Sequence, residues 1–252
     1  MGASSKKNKY AGVFGSPGAK PRFVGFIRAS WPFLILFFLS GYLVRAALPF
    51  PPLSKLAIGI LLLLLCSVFA AVIFWSERRL SAFVKGARGE EVVARQLALL
   101  PPSFRVFHGL SLQGSRLSGT FDFDHIVVGP AGVFVVETKN WSGTITLEQG
   151  RVYYDGQEPT RSPIEQVKGA ASDLQRALAD ACSSSVTVQP VLCFAGGNIA
   201  GGIMGTSGVI VCGVSSLKEA VTDSVEPPLS EKVRSEVAAF LEEKMTPFNA
   251  GS

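Results

Sequence analysis

The chain has 252 residues, with 24 Lys+Arg against 19 Asp+Glu and a formal net charge of +5; 48% of residues are apolar and only 17% charged. A mean hydropathy of +0.34 is high for an ordinary soluble enzyme and low for a polytopic transporter, so apolar segments joined to one or two globular domains are expected. The basic balance is not a nucleic-acid signal: all 19 acidic residues follow position 75, leaving +8 on residues 1–75 and −3 on the remainder.

Residues 1–25, rich in Gly, Ser and Lys, read as a disordered basic tail. Residues 26–76 read as two transmembrane helices. The second apolar run, 56–75, is 20 uncharged residues between Lys55 and Glu77-Arg78-Arg79, about 30 Å of helix and enough for one hydrocarbon core. The first, 29–44, is shorter and spans only if Arg45 snorkels; otherwise it is re-entrant. Pro49-Phe50-Pro51-Pro52 forms the connector. Basic residues concentrate outside this hairpin, so an integral inner or plasma membrane location is expected, with two spans, a lipid bilayer as partner and both termini cytoplasmic. Four scattered cysteines without a Cys-x-x-Cys pattern support neither zinc nor disulfides.

The rest reads as an α/β domain over 86–214 and a C-terminal helical extension over 215–252. Residues 86–100 form a helix with Val93, Leu97 and Leu100 on its apolar stripe. Glu90 lies on that same stripe, where a carboxylate needs explaining; favouring the helix N-terminus while staying wet is the plainer account of it. Residues 104–112 are strand-like. Residues 121–128 and 133–139 form two β-rich runs around the turn Gly129-Pro130-Ala131-Gly132. A further hairpin covers 144–147 and 151–154. Ser162-Pro163-Ile164-Glu165 is a capping box opening a helix. Residues 186–194 and 208–214 are unalternating apolar runs, as in buried strands of a mixed or parallel sheet. Residues 230–245 close the chain as an amphipathic helix stopped by Pro247.

A symmetric turn at 129–132 sets Val128 opposite Val133, Asp124 opposite Glu137 and Asp122 opposite Lys139. With a period of two, these four polar residues share one face. Opposed carboxylates repel, so Asp124 and Glu137 amid aliphatic residues call for a cation. Such a pair suits a hard metal ion, which polarises a phosphate and lowers the pKa of bound water. The Lys139 ammonium can orient that water or stabilise developing negative charge. The plainer alternative is a solvent-facing Asp122–Lys139 ion pair. His125 points to the other face. Trp141 reads as structural, although it could stack on a base.

Gly86-Ala87-Arg88-Gly89-Glu90, Asp122-Phe123-Asp124-His125-Ile126-Val127-Val128-Gly129-Pro130, Val136-Glu137-Thr138-Lys139-Asn140-Trp141-Ser142-Gly143 and Pro163-Ile164-Glu165-Gln166 follow one another in an order that resembles the nuclease-related domain (NERD) family. That family is similar to the PD-(D/E)xK nucleases. The resemblance implies an αβββαβ restriction-endonuclease-like core, here with an extra C-terminal strand and helix. It implies Asp124 and Glu137 as ligands of Mg2+ or Mn2+, and Lys139 as catalytic lysine. Glu90 becomes a further acidic site residue, Gln166 a polar one, and Asp122 a supporting acidic residue.

The expected function is a membrane-anchored, cytoplasm-facing, metal-dependent nuclease, with DNA ahead of RNA as substrate. The alternative is an inactive membrane adaptor that keeps the fold to bind nucleic acid or protein. It draws on the near-neutral charge of +1 over residues 76–176 and −4 over residues 177–252, where a backbone-tracking nuclease usually shows more basic surface.

Overall fold

The structure, a computed structural model, describes residues 9–17, 19–47, 54–113, 120–182, 185–199, 202–223 and 228–244. The expected Pro49–Pro52 connector and the stop at Pro247 lie outside them. Two units are present: Met1–Gly18 together with Arg88–Ser252, and Ala19–Ala87.

The smaller unit holds helix α1 (Ala19–Ala47) and the beginning of α2 (Lys55–Leu97). Among the described residues no helix is long and apolar enough to cross a membrane. This corrects the expected transmembrane hairpin over 26–76, and with it the integral membrane location. Neither apolar run is a helix of its own. The run 29–44 sits inside α1, which also carries Lys20, Arg22, Arg28 and Arg45 and contains Pro32. The run 56–75 opens a 43-residue helix that continues through Glu77, Arg78 and Arg79 to the amphipathic segment ending at Leu97. Leu34, Phe37, Phe38 and Leu63 on these helices are exposed.

The larger unit is a mixed α/β layer structure. Its strands are β1 (Gly12–Phe14), β2 (Arg105–Gln113), β3 (Thr120–Gly129), β4 (Gly132–Lys139), β5 (Thr144–Glu148), β6 (Arg151–Tyr154), β7 (Val188–Phe194), β8 (Asn198–Ile199), β9 (Ile203–Thr206) and β10 (Val209–Gly213). Helices α3 (Pro163–Ala181), α4 (Leu217–Thr222) and α5 (Glu231–Lys244) complete it. A seven-stranded sheet runs β1-β2-β3-β4-β7-β10-β9, and a three-stranded one β6-β5-β8. β4, β7 and β10 pair in parallel, which explains why their sequences are apolar on both faces.

One face of the large sheet packs on α3 and α5. Ile126, Val128, Val133 and Val135 meet Ile164, Val167, Leu174 and Leu178 of α3 and Val237 and Leu241 of α5. The other face carries Val106, Val127, Phe134 and Val136 against Val93, Leu97 and Leu100, with Leu217 and Val221 of α4. Ser162 caps α3 by accepting the Glu165 N–H at 3.3 Å, as the capping box requires. Within the segment read as a disordered tail, β1 pairs in parallel with β2. There Ala11 is buried and Phe14 stacks on Phe107 at 5.0 Å.

Leu174 is fully buried on α3, so Leu174→Ala is expected to cost about 2–5 kcal/mol through lost transfer energy and the cavity left behind. Urea unfolding of the full chain measures this. Glu165→Ala, exposed on the same helix, should stay within about 0.5 kcal/mol.

Candidate active site

The β3–β4 hairpin builds the centre of the site. Its ladder runs from Gly129↔Gly132 through Val128↔Val133 to His125↔Val136 and ends there. The ladder between β2 and β3 pairs His108 with His125 and Leu110 with Phe123, passing over Gly109 and Asp124. Gly109 has φ +61°, a conformation glycine takes without strain. Asp124 therefore stands at a break in both of its strand's ladders. Its Oδ2 accepts the Thr138 N–H at 2.9 Å, so a side chain takes over where the β3–β4 backbone pairing stops. β4 itself continues in register with β7 as far as Lys139↔Phe194.

Glu137 is buried, at 7% exposure. Its Oε1 accepts from Lys139 Nζ at 2.8 Å and from Gln166 Nε2 at 2.6 Å, and Gln166 Oε1 accepts from Lys139 Nζ at 2.9 Å. Three residues from two elements thus close a ring of hydrogen bonds. Gln166 reaches it because it lies one residue before the buried Val167 on α3, at the rim of that helix's packed face. The Asp124 carboxyl is held well above the usual carboxylate range. Burial is the main cause, followed by the negative charges of Glu137 and Glu90, with the Thr138 N–H and Lys139 opposing.

The fold therefore joins Glu137, Lys139 and Gln166 by direct bonds, sets Asp124 beside them and brings Glu90 within electrostatic reach. Asp122 is exposed and accepts from Ser111 Oγ on β2. That partner was legible only from the β2–β3 register, Ser111↔Asp122.

As donors to a cation, Asp124 and Glu137 are hard oxygen ligands with excess negative charge around them. Among the described residues no cluster of three or more His, Cys, Asp and Glu side chains could hold a metal; Asp124 and Glu137 are two carboxylates. That number suits Mg2+, which is commonly held by one or two carboxylates and fills its remaining positions with water and phosphate oxygens.

On the opposite face of the sheet lies a second buried polar pair. The chain has two histidines, and they meet: His108 Nδ1 and His125 Nδ1 are 2.7 Å apart, both rings buried. One must donate and the other accept. His125 Nε2 is buried without a partner, so we assign the proton to His125 Nδ1. That leaves a bare lone pair at Nε2 rather than an unpaired N–H, which costs less. Burial lowers His108 to about 4; burial and then His108 push His125 well below its ordinary value.

The domain is thus a mixed sheet flanked by helices, with carboxylates and a lysine where the β3–β4 hairpin splays. Residues 85–195 match the family model of the nuclease-related domain, NERD. An uncharacterized Bacillus anthracis protein is 45% identical over 62 residues, covering 24% of this chain and 29% of that protein. No solved structure gives a significant match.

The buried histidines predict acid sensitivity. Their folded values lie below the unfolded value of about 6.5, so the native state refuses protons that the unfolded chain accepts. Their contribution is present above about pH 6.5 and is lost as pH falls toward 4. Asp124, held above its usual range, works the other way and gains stability as pH falls. Two histidines outweigh one carboxyl, giving an expected net loss of stability as pH falls from about 6.5 toward 4. Urea unfolding across that window tests it; Asp124→Asn should steepen the slope, and His108→Val/His125→Val should reverse it.

Proposed function

We propose that this domain is a metal-dependent nuclease that hydrolyses phosphodiester bonds of nucleic acid. The observation that carries the reading is the ring formed by Lys139, Glu137 and Gln166 beside Asp124. A purely structural ion pair would not require a third polar group from a neighbouring helix, nor a second carboxyl crowded against it.

In this reading Asp124 and Glu137 hold Mg2+ or Mn2+. A bound divalent cation supplies a polarised phosphate oxygen and an acidified water. Glu137 is fixed for that task through one oxygen, because both of its hydrogen bonds fall on Oε1. Gln166 holds Glu137 and Lys139 in one arrangement, so that neither reorganises when substrate arrives. Lys139 Nζ offers positive charge to the oxygen on which negative charge develops. Glu90 adds to the negative field that draws the cation in, and Asp122 supports the rim of the site from β3. DNA is the first substrate to test.

A second reading, binding without cleavage, is favoured by charge alone: residues 76–176 carry +1 and residues 177–252 carry −4. A weak basic field is a poor guide for a phosphate backbone.

The full chain, incubated with labelled single- and double-stranded DNA and RNA under Mg2+, Mn2+ or EDTA, separates the two. Cleavage that needs metal, and falls about 10²–10³-fold in Glu137→Ala and in Lys139→Ala, is the expected result. Tight binding with no cleavage under either metal would give the second reading the field.

A further inference from the structure

Asn140 follows Lys139 at the end of β4 and is only partly exposed. A Cβ built on Gly89 of α2 would stand 2.6 Å from Asn140 Cβ and 3.2 Å from its Cγ. A Cβ on Gly196, just after β7, would stand 2.8 Å from Asn140 Oδ1 and 2.8 Å from the Trp141 carbonyl oxygen. The Asn140 side chain is thus gripped between two backbones, each of which reaches it only because it lacks a side chain. The Ala195 N–H donates to the Lys139 carbonyl at 2.9 Å, which locks the segment after β7 to the same point.

The neighbours of these contacts are site residues. Glu90 follows Gly89 on the helix, and Lys139 precedes Asn140 on the strand. We propose that Asn140 is a positioning residue, a spacer whose width sets how far Glu90 stands from the Asp124–Glu137 pair. The spacer accounts for two glycines that helix and strand propensity leave unexplained. Gly89 has no positive φ to justify it and weakens a helix interior relative to alanine. This inference rests on the reading of Asp124 and Glu137 as a cation site.

Calorimetric Mn2+ titration of the full chain tests it, with thermal midpoint and nuclease rate measured alongside. Gly89→Ala pushes a methyl into Asn140 and should weaken Mn2+ binding about 10-fold and cleavage about 10²-fold. Adding Asn140→Ala leaves the colliding Cβ in place and should not help. Adding Asn140→Gly removes the collision and should restore the thermal midpoint but not the affinity, because the spacer is gone. Where Gly89→Ala fails to fold, Asn140→Ala alone carries the test, with a similar loss of affinity and a nearly unchanged midpoint. Wild-type affinity in Gly89→Ala, wild-type affinity in Gly89→Ala/Asn140→Gly, or unchanged affinity in Asn140→Ala overturns the spacer while leaving the cation site standing. A wild-type chain that binds Mn2+ no better than Glu137→Ala overturns the cation site and the spacer together.

Discussion

A single oxygen organises this site. Glu137 Oε1 receives both the Lys139 ammonium and the Gln166 amide, and everything around it either supplies those groups or contends with the charge they leave uncompensated. Lys139 balances one carboxylate. Asp124 stands beside that balanced pair with Glu90 nearby, and burial makes a further negative charge costly. Such an arrangement persists only when a proton or a cation makes up the difference. Among hydrophobic strands it is a poor way to gain stability and a direct way to attract a positive ion.

The fold supplies what that oxygen needs from separate directions. β4 stays in the sheet through its pairing with β7, keeping Glu137 and Lys139 in register, while β3 loses its ladder partners at Asp124. The carboxyl replaces the missing strand contact by taking the Thr138 N–H. α3 contributes Gln166 from the edge of a face whose Ile164 and Val167 are locked in the core. The Gly89 approach to Asn140 brings α2 close from the opposite layer. Side chains held by rigid elements in this way need little reorganisation when charge develops.

Some of this was legible in the residues. The Gly129–Gly132 turn between two aliphatic runs fixed the hairpin register, and Val128↔Val133 follows from it. What symmetry does not reveal is where a ladder stops. The sum that sets Asp124 opposite Glu137 gives no sign that the strands part there, nor that the β2–β3 ladder skips Gly109 and Asp124. The Lys139–Gln166 contact joins residues 27 positions apart, across a helix whose placement periodicity cannot give; only family resemblance pointed to it. The histidine pair needed the β2–β3 register, and β1 was hidden because three residues in a Gly- and Lys-rich stretch carry no period and pair with a strand some 90 residues on. The apolar runs erred in the opposite direction: they looked like helices bounded by charge, whereas α2 passes straight through its charged residues.

Nuclease chemistry and simple nucleic-acid binding diverge on whether this charge arrangement captures a divalent ion. Anomalous diffraction from crystals of the full chain grown with Mn2+ asks that question at atomic level. A single strong peak is expected within coordination distance, about 2.0–2.3 Å, of both an Asp124 and a Glu137 oxygen, with Lys139 and Gln166 still holding Glu137. No peak at that position, in crystals where Mn2+ is in ample excess, would contradict the cation site.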